Sequence, residues 1–244
     1  MQAVIQAGGK GTRLRPYTTV LPKPLMPVGS KPVLELLLKW LRRNGVHEVY
    51  VTTGYLGHLI RSVCGNGRQW GLEIIYTDEP EPLGTVGALG LIRERLDDTF
   101  LVLNGDVLTD LNLSAFRAQH RAQGGVLTIA TTQRATHMDF GVIETLDSRV
   151  VRFREKPSLH QIVSMGIYCM EPGVLAHIPD GVPFGFDDLM VCMLGKRLPV
   201  HTFLHQGCWL DIGRVEDFQK AQELGWDDGV PSFETGLLVP EAAD

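Results

Sequence analysis

The chain of 244 residues has no apolar run approaching the ~20 residues that a membrane span needs. Its start lacks the marks of an export signal. Met1 leads straight into QAVIQAGG, with no charged stretch, apolar segment or cleavage site. The expectation is a cytoplasmic protein. Cysteine is scarce: Cys64, Cys169, Cys192 and Cys208 lie far apart and form no CxxC pair. That spacing favours reduced thiols over disulfides or a zinc site. Acid is absent from residues 1–31, which carry Lys10, Arg13, Arg15, Lys23 and Lys31. Base is absent from Trp226 onward, where Asp227, Asp228, Glu234, Glu241 and Asp244 fall. The net charge is −5, and without those five acids the chain carries 23 acids against 23 bases. A cationic focus on a neutral body suits a small polyanion and argues against nucleic acid as partner.

Several signatures are also missing. GxxxxGK[ST] does not occur. GxGxxG fails because Leu14 stands where the third glycine would be. The second strand ends VTTGYLG, without the acid a dinucleotide site would want, which disfavours a NAD-linked oxidoreductase. No elbow sequence supports a Ser-His-Asp nucleophile. His201 and His205 are four apart, but PVHTFLHQG reads as strand and turn, so they do not share a helix face as metal ligands.

What remains is an alternation. AVIQA, VHEVYVTT, LEIIYT and TFLVLNGD read as strands. PVLELLLKWLRRNG, LGHLIRSVCGNG, TVGALGLIRERL and LSAFRAQHRAQGG read as helices between and after them. Such a βαβ rhythm predicts an α/β, Rossmann-like three-layer αβα sandwich with a mostly parallel mixed sheet. After Gly125 the rhythm changes to closely spaced strands, VLTIATT, FGVIET, RVVRFRE and SMGIYCM, a β-rich segment. A helix DDLMVCMLG, a strand PVHTFL and a helix RVEDFQKAQELG follow. We expect one domain over 1–225, with halves at about 1–124 and 125–225, and a loosely held acidic tail over 226–244.

The stretch QAGGKGTRLRPYTTVLPKPL, Gln6–Leu25, concentrates the signal. Gly8, Gly9 and Gly11 follow the first strand, and glycine lets main-chain N–H groups approach and cup an anion. Thr12, Arg13 and Arg15 come next. Pro22 and Pro24 then restrict the backbone on either side of Lys23.

This stretch resembles the signature of the sugar-1-phosphate nucleotidyltransferases. The resemblance continues in order through PLGTVGAL (82–89), LVLNGDV (101–107), FGVI (140–143), REKP (154–157), SMGIY (164–168) and GCWLDIGR (207–214). It covers all but the tail, and PLGTVGAL is most similar to the mannose- and heptose-1-phosphate guanylyltransferase type. The resemblance implies in-line attack of a sugar-1-phosphate oxygen on the α-phosphorus of an NTP, releasing pyrophosphate. The nucleophile is already an anion, so catalysis rests on positioning and charge stabilisation. Arg13 is then expected to bridge the α-phosphate and departing pyrophosphate, and Lys23 to meet the α-phosphate and the sugar phosphate. Gln6, Ala7, Gly8, Gly9, Gly11 and Thr12, with Leu83, Gly84 and Thr85, are expected around the nucleotide. Asp106 closes a buried strand and Asp211 is the lone acid of CWLDIG; the two are expected to share Mg²⁺, which accepts two carboxylates plus phosphates and waters. Asp110 is expected to face solvent, and Asp217 to lie on the surface of the last helix. Asp187 and Asp188 suit a helix cap.

On the sugar side the resemblance points to Gly141, Glu155, Lys156, Ser164 and Tyr168. Many relatives carry Asn at the position of Ser164, which leaves that hydrogen bond open. Tyr168 reads equally as core. GTP is favoured as the NTP, with dTTP next and then UTP or CTP; Gln6 could serve either kind of base. A noncatalytic sugar-nucleotide sensor would be expected to lose Arg13, Lys23 or an acid, and none is lost. Neither nucleic acid nor membrane is implied as a partner, and a homo-oligomer is left open.

Overall fold

The computed structural model describes residues 1–227 and 229–232. In chain order, β1 (Gln2–Ala7) is followed by short 3₁₀ turns, the two-residue strands β2 (Pro27–Val28) and β3 (Lys31–Pro32), and helix α1 (Val33–Arg43). Next come β4 (Glu48–Thr53), α2 (Gly57–Cys64), β5 (Glu73–Asp78), α3 (Gly84–Gly87), β6 (Phe100–Asn104), β7 (Val107–Thr109) and α4 (Leu113–Gln123). The strand-rich part holds β8 (Leu127–His137), β9 (Val142–Leu146), β10 (Arg149–Arg154) and β11 (Ser158–Met170). The chain continues through α5 (Phe186–Gly195), β12 (Val200–His205), β13 (Trp209–Asp211) and α6 (Val215–Glu223) to the hairpin β14 (Gly225–Asp227) and β15 (Val230–Ser232).

The central sheet has seven strands in the order β12-β8-β11-β6-β1-β4-β5. Neighbours pair in parallel except around β11, which runs antiparallel to both β6 and β8. This is the mostly parallel mixed sheet the alternation predicts. Strand periodicity sends Ala3, Ile5 and Ala7 into a core with α1, while Val4 points into a second core with Leu89, Leu189 and Met193. Helices therefore cover both faces. The α1 pattern VLELLLKWLRR buries seven residues, with Leu34, Leu37, Leu38 and Leu41 against the sheet, and Gly45 at φ +78° turns the chain away after the helix.

TVGALGLIRERL departs from the expected single helix. Only Gly84–Gly87 is α-helical, and Ala88–Arg95 winds as 3₁₀. Gly84, Gly87 and Gly90 lower helix propensity there. The backbone of Phe184 also packs where a Cβ on Gly84 would lie, 2.8 Å away, so this segment follows its neighbour and not an intrinsic helix. The tail is not loose from its start. The β14–β15 hairpin pairs Trp226 with Pro231, and the Trp226 and Val230 side chains pack on core clusters. The rest of the expected tail, from 233, lies outside the described residues.

Strands β8 and β11 run past the sheet's core as an arm. The outer part of β11 is exposed, whereas Met165–Met170 is buried. The arm carries a separate ribbon in which β9 and β10 pair antiparallel, Ile143 facing Phe153 and Val142 facing Arg154. One side of the ribbon holds the Glu144–Arg154 ion pair.

Candidate active site

The carboxyl ends of β4, β1 and β6 place Thr52, Gln6 and Asn104 side by side in register. In a parallel sheet this edge is where ligands bind. Here it forms one wall of a cavity of about 420 Å³, which also takes in the glycine loop, Arg13, Lys23, Glu79 and Asp106. Both amide atoms of Gln6 and the hydroxyl of Thr52 are buried without a hydrogen-bond partner. Buried polar groups are rarely left so. Their position in a cavity wall marks a surface built to meet a polar ligand.

The loop shape follows from its residues. Gly11 sits at φ +60°, a conformation glycine adopts without strain, and its carbonyl accepts from the Leu14 N–H and the Thr18 hydroxyl. Leu14 is buried and anchors the turn Thr12–Leu14, while Arg13 stays exposed at the cavity. Among the described residues no acid pairs with Arg13. Gly8 has a different reason for its lack of side chain: a Cβ there would collide with the carboxylate of Glu79. Glu79 itself accepts a hydrogen bond from the Leu83 N–H. Burial raises its carboxyl above the usual range, and the Leu83 N–H works against that rise.

Lys23 opens the turn Lys23–Leu25, whose Pro24 and Leu25 are buried. Its ammonium forms an ion pair with Asp106 and lies 3.6 Å from Oδ1 of Asp211. It also packs against Gly213, where a Cβ would strike it. The short strand β13 explains why the acids meet. Asp211 pairs with Val107 of β7, and the Ile212 N–H donates to the Asp106 carbonyl at 2.9 Å. Burial pushes the Asp106 carboxyl up, the Lys23 ammonium pulls it down, and the Asp211 charge pushes it up again. The Lys23 ammonium thus lies in the wedge between two carboxylates, whose oxygens are the donor type that Mg²⁺ takes. Among the described residues no cluster of three or more His, Cys, Asp or Glu could hold a metal by itself, so phosphate oxygens would have to complete such a site.

The structure brings together Gln6, Ala7, Gly8, Gly9, Gly11 and Thr12 with Arg13, Lys23, Gly84, Thr85 and Asp106 around the cavity. Leu83 is not among the cavity's walls. Its side chain is buried and its carbonyl accepts from the Phe184 N–H, so it serves as packing for its neighbours. The expected sugar residues lie on the arm. Gly141 and Glu155 meet at the root of the ribbon, a Cβ on Gly141 being 3.3 Å from Glu155 Oε2. The same Cβ would be 2.7 Å from the Phe153 ring, which gives this glycine a packing reason. Lys156 follows at φ +42°. Ser164 is 3.3 Å from the Tyr168 hydroxyl, while the Tyr168 ring is buried and stacks on Phe186 at 4.1 Å. Tyr168 is thus a core residue with only its hydroxyl turned toward Ser164. Asp188 caps α5 by accepting from the Gly185 N–H.

Two acids differ from expectation. Asp110 is only part-exposed and pairs with His205 at 2.8 Å. Asp217 is not a surface residue but buried, bound by Arg134 and by the Asp211 N–H. Sequence reading also passed over Thr52, Glu79 and Asn104. Their signal was present, since each stands at the carboxyl end of a strand or just beyond it.

The nucleotidyl transferase family model matches residues 2–225. The chain is 36% identical to a UTP–glucose-1-phosphate uridylyltransferase of Synechocystis over 91% of its own length, and spans 62% of that relative. It is 32% identical to a D-glycero-alpha-D-manno-heptose 1-phosphate guanylyltransferase of Aneurinibacillus thermoaerophilus, covering 91% of this chain and 97% of that one. The crystal structure of HddC from Yersinia pseudotuberculosis complexed with GMP-PN superposes with a TM-score of 0.73 at 26% identity, covering 91% of this chain and 98% of that one. A glycine loop, a clamped lysine and a carboxylate pair at the carboxyl edge of the sheet accord with this match, and the chain belongs to the nucleotidyl transferase family, among the sugar-1-phosphate nucleotidyltransferases.

Proposed function

We propose that the protein transfers a nucleoside monophosphate from GTP to a sugar-1-phosphate, releasing pyrophosphate, with Mg²⁺ as cofactor and in the cytoplasm. The convergence of Arg13, Lys23 and Asp106 on one cavity with buried, unpartnered polar atoms carries this reading. The loop N–H groups and Arg13 hold the triphosphate. Lys23 leaves the carboxylates for the α-phosphate and the incoming sugar phosphate. Asp106 and Asp211, freed of the ammonium, would hold Mg²⁺, which would offset charge on the phosphate oxygens. Glu155 and Lys156 orient the sugar-1-phosphate from the arm. No proton need move, because the attacking phosphate oxygen is already ionised.

The choice of GTP rests on Glu79. Guanine offers two adjacent donors, N1–H and an N2–H, to a carboxylate. Uracil and thymine offer one N–H between two carbonyls that a carboxylate repels. The guanylyltransferase relative and the GMP-PN complex of HddC support the same choice. A uridylyl reading is favoured by the Synechocystis relative. Each NTP against a panel of sugar-1-phosphates, with pyrophosphate release as readout, separates the two. We expect the highest kcat/KM with GTP, and Glu79→Gln should erode that preference at least tenfold. Protonation turns one of the two accepting oxygens into a donor, so preference for GTP should also fall as pH drops through the raised pKa of Glu79 and be flat in Glu79→Gln. A higher kcat/KM with UTP would overturn the base assignment. No turnover with any pair would overturn the reaction.

A further inference from the structure

Asp217, in the first turn of α6, is buried to 4% exposure and takes no part in the chemistry above. Its Oδ1 accepts from Nη2 of Arg134, and its Oδ2 accepts from Nη1 of Arg134 at 2.9 Å. The same Oδ2 accepts the main-chain N–H of Asp211, also at 2.9 Å. Arg134 comes from the outer half of β8, opposite Gln161 of β11, so the sugar-bearing arm supplies it. Its guanidinium lies 5.2 Å from the ring of Trp209, two residues before Asp211. Trp209 is fixed in turn by donating its Nε1–H to the Met165 carbonyl at 2.9 Å.

A buried ion pair is an expensive way to pin a helix, since desolvation offsets much of its attraction. What this pair adds is direction. Arg134 holds both Asp217 oxygens, and the oxygen that Nη1 meets is also the acceptor for the Asp211 N–H. The Asp211 carboxylate then has a fixed origin, and its Oδ1 is set by the Gly213 N–H at 2.8 Å. Its Oδ2 has no hydrogen-bond partner among the described residues.

We propose that Arg134 and Asp217 are positioning residues that aim the Asp211 carboxylate at the metal wedge and tie its placement to the arm. This rests on the reading of Asp106 and Asp211 as the metal-holding pair. Residues behind a metal ligand commonly govern affinity 10- to 100-fold. The test is a Mn²⁺ titration of the whole protein saturated with a non-hydrolysable GTP analogue, followed by loss of EPR signal relative to the Mn²⁺–analogue mixture without protein, beside the KM for Mg²⁺ in turnover. Asp217→Ala should weaken Mn²⁺ binding about 10- to 100-fold and raise the KM for Mg²⁺ in step, with kcat largely recovered at saturating Mg²⁺. Arg134→Met should act in the same direction. Asp217→Asn, which keeps an acceptor for the Asp211 N–H, should recover part of the loss. If Asp217→Ala does not fold, Arg134→Met decides, because that side chain is partly exposed. The proposal falls if these variants fold, keep Mn²⁺ affinity within twofold and only lower the melting temperature, while Asp211→Asn abolishes binding. If Asp211→Asn itself leaves Mn²⁺ binding unchanged, the metal reading falls, and this inference with it.

Discussion

Around the glycine loop polar atoms are buried without partners, whereas on the β9–β10 ribbon apolar side chains are exposed. Gln6 and Thr52 show the first condition. Ile143 and Phe153, 54% and 59% exposed and directly opposed, show the second. The loop half is backed by paired strands and two cores, so its main-chain dipoles are set before any ligand arrives and only the Lys23 ammonium has to move. A two-stranded ribbon has no such backing, and ribbons of that size are marginal alone. The comparison teaches that the glycine-loop half is preorganised, while the ribbon is attached chiefly through the chain's continuation into β8 and β11.

The strongest way to break this contrast is at the carboxylates. Asp106→Asn or Asp211→Asn should each abolish Mg²⁺-dependent turnover. The double variant should be hardly worse than either, because both act through one ion. Additive losses in single-turnover assays would separate their roles. Arg13→Ala comes next, with kcat lowered about 10²- to 10³-fold and the fold intact, since the residue is exposed on its turn. A rise in the KM for NTP with kcat unchanged would make Arg13 a ground-state contact. On the arm, Glu155→Ala should raise the KM for sugar-1-phosphate about tenfold and leave the KM for NTP alone, a loss of uniform binding. Equal effects on both substrates would mean that the halves are not separable. Stability gives the smallest signal. Phe153→Ala should shift unfolding free energy by no more than about 0.5 kcal/mol, whereas Phe116→Ala, fully buried between α4 and the sheet, should cost about 3–5 kcal/mol in denaturant melts.

Much of the site was legible in the sequence because local rules fix it. Glycines after a strand, prolines around Lys23 and an acid closing an apolar run all act within a few residues. Leu83 was expected at the nucleotide with Gly84 and Thr85 on the resemblance of PLGTVGAL, but its side chain turns into the core while those two neighbours line the cavity. Asp217 misled for another reason. Helical spacing puts it beside charged neighbours, and only the β8 arm, some 80 residues away in sequence, brings the guanidinium that lets it be buried. Thr52 was missed because strand-end polar residues look alike until register sets it beside Gln6, and Glu79 because it lies one residue beyond β5.

The placement of Asp211 on β13 also sets an order of assembly. The glycine loop and Asp106 are synthesised within the first half of the chain, and β1, β4 and β5 can pair among themselves early. The second carboxylate arrives about 100 residues after the first, and it docks by pairing β13 with β7, a contact of high sequence separation and so one with a large loop-closure cost. A growing chain can thus shape its phosphate cradle well before the wedge behind it is complete. Until β13 docks, Lys23 has one acid beside it instead of two.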